Sequence, residues 1–417
     1  MGSISSFFLT AGAHLSKILC GFLLVKLIAY YLGAEGLGAL GHFMSLVAIV
    51  TMLAGGGIVN GIIKYVAEYR CIPRKMLSFI SASLIYSAIF SILFFIVGIT
   101  FSEYIASLVF GNSDYYWIII ILSIAQFGFA FTNVVTGVAN GLRDTKTFAI
   151  IQIVGGAIGL PVIFLLIKNY TLYGAALSVI AIYFSYSIPA LLIFYRSVFF
   201  RPLLNFKVSS IDLKKLSFFS LMLLTSSITF PVVEVLVRQL LIEKSGYFSA
   251  GIWQGSIKLS SAYLGFFSTF LAYYFMPGVS AVKDKKIILK MVLQFILVVA
   301  AIFIFGASIL FFYRDFFIGA LLSSDFNELS NYIGYQLIGD FFKITSYVIG
   351  FVCVAKAATK IYIFAEVFQS LLFYALAVYM TTHFMIMQGV FLGYMFTYII
   401  YFIVIFSGFL YWTQKSK

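Results

Sequence analysis

Ionisable side chains interrupt long apolar stretches of this sequence at ten positions. A charge in hydrocarbon is costly, so such a residue usually faces an aqueous cavity or pairs with an opposite charge. Cations outnumber carboxylates here by five to three, which predicts a pathway that prefers anions. The residues predicted to bind substrate in a cavity are Lys17, Lys26, Arg238, Lys258, Lys343 and Asp340. The residues predicted to act in coupling or gating are His14, His42, Glu234 and Glu366.

Spacing leaves structural alternatives open for the acidic residues. Glu234 and Arg238 are spaced i, i+4 and can form an ion pair on one helix face. Asp340 and Lys343 are spaced i, i+3, where pairing would lower the cost of burying each charge. Glu366 can serve as a helix cap or pair with a lysine just before its helix.

The basic residues differ in how easily their charge could reach water. His14 and Lys17 share one helix face, and Lys17 lies about 15 Å from the cytoplasmic end, too deep for easy snorkelling. A carbonyl or carboxylate partner is its structural alternative. Lys26 lies near the other end, where snorkelling explains it equally well, and His42 can simply be hydrogen-bonded. Lys258 has no carboxylate within one turn, so a substrate phosphate would serve as its partner.

Membrane-spanning helices must position these side chains. Hydrophobic residues make up 63% of the 417 positions and charged residues 10%, against about 25% charged residues in soluble domains. A helix needs about 20 apolar residues to cross a bilayer, so the sequence predicts an all-α polytopic membrane protein with twelve spans. The predicted spans are 7–31, 38–65, 77–101, 116–140, 148–167, 173–195, 216–242, 250–276, 288–313, 331–355, 361–382 and 388–412.

The cations in the gaps between spans predict the topology. Nineteen of the 27 Lys and Arg residues follow even-numbered spans, and gaps after odd-numbered spans hold only Lys168, Lys244 and Arg314. The positive-inside rule therefore predicts that both termini are cytoplasmic. Anionic lipid headgroups account for the formal charge of +13, so membrane lipids are expected partners and nucleic acid is not.

Several features recur about 210 to 214 residues apart, as two copies of one six-helix unit would leave them. We therefore predict an N-terminal lobe over 1–200, a cytoplasmic linker over 201–215 and a C-terminal lobe over 216–417, with a central cavity between the lobes. The matching pairs are Gly38 and Gly251, Asp114 and Asp325, Gln126 and Gln336, and Thr145-Lys146 and Thr359-Lys360.

Five segments together resemble the Wzx family of polysaccharide repeat-unit flippases, above all its WzxE-like type. The resemblance runs in order from the first span to the last. The segments are YLGAEGLG (Tyr31 to Gly38), AGGGIVNGIIKYVAEY (Ala54 to Tyr69), GIWQG (Gly251 to Gly255), QLIGDFFK (Gln336 to Lys343) and AKAATKIYIFAEV (Ala355 to Val367).

The resemblance implies a member of the multidrug/oligosaccharidyl-lipid/polysaccharide exporter superfamily in a bacterial inner membrane. Its expected cargo is an oligosaccharide on undecaprenyl diphosphate, delivered to the periplasmic leaflet for lipopolysaccharide biosynthesis. An O-antigen polymerase and a chain-length regulator are further expected partners. Met44 replaces an arginine of the WzxE-like pattern and Ser261 an aspartate. These departures favour an O-antigen unit as cargo, with the lipid III unit of the enterobacterial common antigen as the alternative.

Two rival functions fit the sequence less well. A drug exporter of the same superfamily would handle organic cations, which a net-positive cavity suits poorly. A membrane-embedded polymerase or acyltransferase would need a larger periplasmic loop than 314–330, or a histidine with an acidic neighbour, which His14 and His42 lack. We predict no catalytic residue, cofactor or metal site, and no nucleotide as energy source, because no phosphate-binding loop occurs. Asp340 or Glu366 could couple an ion gradient, or removal of the cargo could drive the cycle.

Overall fold

A computed structural model describes residues 3–196, 210–356 and 358–414, and its regular structure is helical throughout these ranges. Lipid offers no hydrogen bonds, so a spanning backbone must satisfy its own polar groups, as an α-helix does. The first seven helices are α1 (Ser3–Leu53), α2 (Val59–Glu68), α3 (Pro73–Thr100), α4 (Ser102–Phe110), α5 (Tyr116–Gly141), α6 (Thr145–Ser185) and α7 (Ser187–Arg196). The remaining seven are α8 (Ser210–Phe270), α9 (Met276–Ala281), α10 (Lys285–Phe312), α11 (Arg314–Leu321), α12 (Ile333–Ala355), α13 (Thr359–His383) and α14 (Ile386–Gln414).

Eight helical stretches within the described ranges are long and apolar enough to cross a membrane. The most apolar is Lys285–Phe312, with a mean hydropathy of 2.9 and only 11% of its most apolar window buried. A helix so apolar and so exposed is suited to contact with lipid. Two of the eight stretches, Gly12–Glu68 and Thr145–Arg196, contain 57 and 52 residues, far more than one crossing needs.

Backbone breaks divide the longest helices. Gly33 interrupts α1 with φ 66° and ψ −168°, and Gly246 interrupts α8 with φ 80° and ψ 175°. Only glycine readily adopts this region. The two breaks have nearly the same geometry and lie 213 positions apart (33 and 246), which matches the predicted duplication. A third break falls in α6 at Tyr170 and Thr171, where Thr171 has φ 46°.

The chain divides into two compact units. The first comprises Met1–Tyr31 and His42–Ile228, and the second comprises Leu32–Gly41 and Thr229–Lys417. Both α1 and α8 therefore contribute residues to both units. The predicted linker, 201–215, falls largely on 197–209, outside the described residues, so the predicted lobe boundaries stay a prediction.

In the first unit, buried side chains of α2, α3 and α5 form an apolar core. Its members include Ile62, Val66, Phe79 and Val134. Small residues let the helices approach closely there: a Cβ at Gly137 would lie 3.1 Å from Ile62. In the second unit, Gly389 and Gly393 bring α14 against the backbone of α13 in the same way. Helices in lipid gain no hydrophobic driving force by associating, so the close packing that such glycines allow stabilises their contact instead.

The second unit also contains a backbone contact between sequence-equivalent residues. A Cβ at Gly38 would lie 2.0 Å from the carbonyl oxygen of Tyr247, and a Cβ at Gly251 would lie 1.7 Å from that of Ala34. The pairs Ala34 and Tyr247, and Gly38 and Gly251, again share the offset of 213 positions (34 to 247 and 38 to 251). Glycine is required at both positions because no side chain fits.

We expect Gly251→Ala to destabilise the protein by roughly 2 kcal/mol or more, because the added methyl group must displace backbone. Gly306→Ala is the matched control, since a Cβ at Gly306, within α10, meets nothing within 4 Å. Thermal unfolding of the purified variants in detergent checks this. Equal melting temperatures for the two variants would contradict the close contact.

Candidate functional site

A carboxylate fully buried in the second unit anchors the candidate site. Asp340 on α12 is 0% exposed. The Tyr394 hydroxyl on α14 donates to its Oδ1 at 2.7 Å, and the hydroxyls of Ser260 and Tyr263 on α8 donate to its Oδ2. Gln336 donates to the Ser260 oxygen at 2.9 Å. Gln336, on α12 itself, also donates to Oδ2 at 3.4 Å, so three helices supply donors to one carboxylate, which lowers the cost of burying it.

Lys343 is joined to this carboxylate through a tyrosine and not by a direct ion pair. Its ammonium donates to the Tyr394 hydroxyl at 3.3 Å, and that hydroxyl donates to Asp340. Among the described residues no ion pair links Asp340 and Lys343 within 4.0 Å. The sequence spacing suggested a direct pair, and the intervening hydroxyl was not foreseeable from it. A change of charge on either group would alter the hydrogen bond that the other makes.

Aromatic rings complete the environment of Lys343. Its ammonium lies 4.7 Å from the centroid of the Tyr398 ring and 4.8 Å from that of Phe230. Ring faces attract a cation, so they hold the ammonium without neutralising it. Lys343 is therefore held in place by ring faces as well as by the Tyr394 hydroxyl.

A cavity of 1120 Å³ adjoins this cluster within the second unit. Lys343 and Glu366 line it, together with tyrosines of α12, α13 and α14. Glu366 is half-buried and accepts a hydrogen bond from Gln369 at 2.8 Å. The volume slightly exceeds the roughly 300 to 1,000 Å³ of common ligand pockets. It is large enough for a polar group the size of a short oligosaccharide.

Three lysines that were predicted to lie in gaps between spans, and not to bind substrate, also line the cavity. These are Lys283, Lys285 and Lys356, at the end of the helices where α10 begins and α12 ends. Among the described residues, the lining therefore contains four lysines against one carboxylate, that of Glu366. Their clustering at span ends was visible in the sequence, but their convergence on one cavity depends on how the helices pack.

The other predicted residues of the second unit do not line this cavity. Arg238 is fully buried, donates to Gln254 at 2.6 Å and lies 5.7 Å from the Trp253 ring. Glu234 is half-buried one turn before it. Lys258 is half-buried, and among the described residues no hydrogen bond to its ammonium is formed. The roles predicted for these three residues stay predictions.

The predicted residues of the first unit lie on α1. His14 is half-buried with its ring 5.3 Å from that of Phe148, and Lys17 is exposed. Lys26 is half-buried and His42 is buried. The roles predicted for these four residues stay predictions.

The chain matches the family model described as "Polysaccharide biosynthesis protein" over residues 3–283. It is 34% identical to the "Lipid III flippase" of Escherichia coli (strain K12), covering 98% of both chains, and equally to that of Shigella flexneri. The chain belongs to this polysaccharide biosynthesis family. The sequence resemblance is thereby confirmed.

Solved structures show the fold. An inward-facing multidrug resistance MATE family transporter of the MOP superfamily aligns with a TM-score of 0.77, 15% identity and coverage of 97% of this chain and 96% of the other. A MOP superfamily transporter from Pyrococcus furiosus aligns with a TM-score of 0.66 and 14% identity, covering 96% and 95%. The chain is therefore an all-helical, multi-pass membrane protein with a MATE-like fold, and its 34% identical relatives are named as flippases.

We expect Tyr394→Phe to destabilise the protein by about 1 to 3 kcal/mol, because buried Asp340 loses a donor while the ring is kept. Tyr313→Phe, at a position 64% exposed, should change little. The double variant Tyr394→Phe/Lys343→Met should lose less stability than the sum of the losses in the two single variants, since both substitutions break the same chain of hydrogen bonds. Melting temperatures of the wild type, the two single variants, the double variant and the Tyr313→Phe control test this. Strict additivity would show that the chain does not act as a unit.

Proposed function

We propose that this protein is a flippase that moves an oligosaccharide linked to undecaprenyl diphosphate from the cytoplasmic to the periplasmic leaflet of a bacterial inner membrane. The observation that carries the proposal is the 34% identity to lipid III flippases over 98% of both chains. The lysine-lined cavity of the second unit supports it.

Twelve spans form the proposed topology, with both termini in the cytoplasm. The breaks at Gly33 and Thr171 let Gly12–Glu68 and Thr145–Arg196 each cross twice. The break at Gly246 gives α8, which continues to α9, two further crossings. These supplement the six remaining stretches found by length and hydropathy. The proposed lobes are 1–200 and 216–417 with 201–215 as linker, and alternating access would expose a central cavity to each face in turn.

The cationic side chains have a physical role in this proposal. A diphosphate carries about two negative charges and cannot cross hydrocarbon unaided, so cations in a hydrated cleft lower the barrier. Lys17, Lys26, Arg238, Lys258 and Lys343, with Asp340, would bind the polar cargo. The polyprenyl tail can remain in lipid throughout.

The acidic and histidine residues would serve coupling and gating. Asp340 is the strongest candidate, because a tyrosine hydroxyl joins it to Lys343 and Lys343 lines the cavity. A proton taken up by Asp340 would remove its negative charge and so change how Lys343 meets an anion. His14, His42, Glu234 and Glu366 are the other proposed coupling or gating residues.

Two cargoes are compatible with this mechanism. The named relatives favour the lipid III unit of the enterobacterial common antigen over the O-antigen unit that the sequence departures suggested. Those departures lie at buried Met44 and exposed Ser261. We propose a lipid III-like cargo as the first candidate and an O-antigen unit as the second, with the polymerase and chain-length regulator as partners in the latter case.

Reconstitution in liposomes tests the function. We expect the protein to move a short undecaprenyl-diphosphate oligosaccharide between leaflets, scored by the access of an added sugar-modifying enzyme, with empty liposomes as the control. Lipid III and an O-antigen unit offered in parallel would rank the cargoes, and an imposed pH gradient would reveal proton coupling. Folded protein that moves neither lipid would refute the flippase.

Lys17→Ala and Lys258→Ala should each lower transport at least about tenfold, the effect of losing one charge-assisted contact. Both variants should insert and accumulate normally, because neither ammonium is held by a hydrogen bond from the described residues. Lys244→Ala, at an exposed position, is the matched control. Wild-type transport rates in both variants would remove the cationic pathway from the mechanism.

A further inference from the structure

We infer that the cavity of the second unit binds the cargo in one orientation, with the diphosphate at a rim of Lys283, Lys285 and Lys356 and the sugars against a deeper wall of tyrosines. The inference rests on the proposed flippase function. It goes further by assigning the two polar parts of the cargo to different residues.

Backbone contacts bring the rim lysines to one end of the cavity. The Lys356 ammonium, at the end of α12, donates to the carbonyl oxygen of Val282, the residue just before Lys283. Lys285, two positions further on, donates to the Trp412 carbonyl at 3.1 Å and lies 4.9 Å from that ring. An ammonium has three N–H donors, so Lys356 retains two for a phosphate.

Asp284 lies between Lys283 and Lys285 in the sequence but is not part of the cavity lining. It caps α10, accepting a hydrogen bond from the Lys286 amide at 2.8 Å. Among the described residues, the rim lining contains three lysines and no carboxylate. This arrangement suits the two negative charges of a diphosphate better than the deeper wall does, where Glu366 opposes Lys343.

The deeper wall lies well inside the helices. Lys343 precedes Lys356 by 13 residues on α12, about 20 Å along the axis at 1.5 Å per residue. Tyr398 precedes Trp412 by 14 residues on α14, about 21 Å. This part of the lining also contains Tyr347, and Glu366 and Gln369 lie seven and ten residues into α13. Hydroxyl, amide and carboxylate groups beside aromatic faces can bond to sugar hydroxyls and pack on sugar rings.

The chemistry of the cargo determines which of its parts lies at the rim of the cavity. The helix ends that carry the rim are where lipid headgroups lie, and the diphosphate is the headgroup of the cargo. Ile361 and Phe364, on the cavity lining near the start of α13, are 59% and 70% exposed. They offer apolar surface to the first isoprene units. With the diphosphate at this level, the sugars are the part that can extend towards Tyr398 and Lys343.

Binding of sugar-free undecaprenyl diphosphate to the purified full-length protein in nanodiscs tests the rim. We expect Lys283→Ala with Lys356→Ala to raise the dissociation constant at least about tenfold. Lys290→Ala, an exposed lysine of α10 outside the cavity lining, should change it by less than about twofold. Replacing both rim lysines with arginine should restore binding, which separates loss of charge from misfolding. Unchanged binding by the double alanine variant would overturn the inference.

A second ligand tests the orientation. Glu366→Gln with Tyr347→Phe should weaken binding of the sugar-linked lipid and leave that of sugar-free undecaprenyl diphosphate unchanged. Equal loss for both lipids would place the diphosphate at the deeper wall instead. Excess phosphatidylglycerol should not displace the lipid, and displacement would show that the rim binds any anionic lipid headgroup. Translocation by the wild type is scored separately: a protein that binds as described without moving lipid would refute the flippase but not the site.

Discussion

The need to satisfy every polar group inside hydrocarbon governs this structure. The backbone meets it by forming helices, and buried side chains meet it by combining donors from several helices. Asp340 shows the principle most fully, since it accepts from hydroxyls on α8 and α14 while itself belonging to α12. A carboxylate held in this way ties three helices of the second unit together. Any change in its charge would therefore alter the hydrogen bonds that hold all three helices.

The same requirement explains where the helices break. A break exposes backbone groups, so it is tolerated only near helix ends or where protein covers it. Gly33 and Gly246 share a backbone region open to glycine, and each precedes a segment that packs backbone to backbone, Ala34 to Gly38 against Tyr247 to Gly251. Break and contact recur at one offset, which is simplest to explain by inheritance from a single ancestral unit. The contact thus joins two segments that lie 213 positions apart in the sequence.

Much of the fold could be predicted from the sequence because the hydropathy of a segment indicates whether lipid or water surrounds it. The predicted boundaries at 31 and 38, 167 and 173, and 242 and 250 bracket the breaks at Gly33, Thr171 and Gly246. The short helices α4 and α11 were not predicted, because a segment of eight or nine residues produces no span-length signal.

The site was less predictable, since it depends on contacts between distant residues. Asp340 and Lys343 were identified because they are charged residues within a predicted span. Tyr394 is more than 50 positions away, and nothing in the sequence distinguishes it from other aromatic residues. Lys283 and Lys285 were used for topology alone, and Lys356 for topology and as a possible partner of Glu366. The pattern of charges indicates on which side of the membrane a lysine lies. Which side chains or cavity it contacts depends on how the helices pack.

A MATE-like fold does not by itself determine what is transported, because the same helices can present different side chains to a cavity. Here the lining of the second-unit cavity sets four lysines against one glutamate, which disfavours the organic cations that a drug exporter must accept. The cargo of a flippase has an anionic linkage between a polar sugar and an apolar tail. A cavity with cations at its rim, hydroxyls in its depth and exposed apolar residues near its rim matches that order of groups. The gradation of the lining, more than its net charge, is therefore what suits this fold to a lipid-linked oligosaccharide.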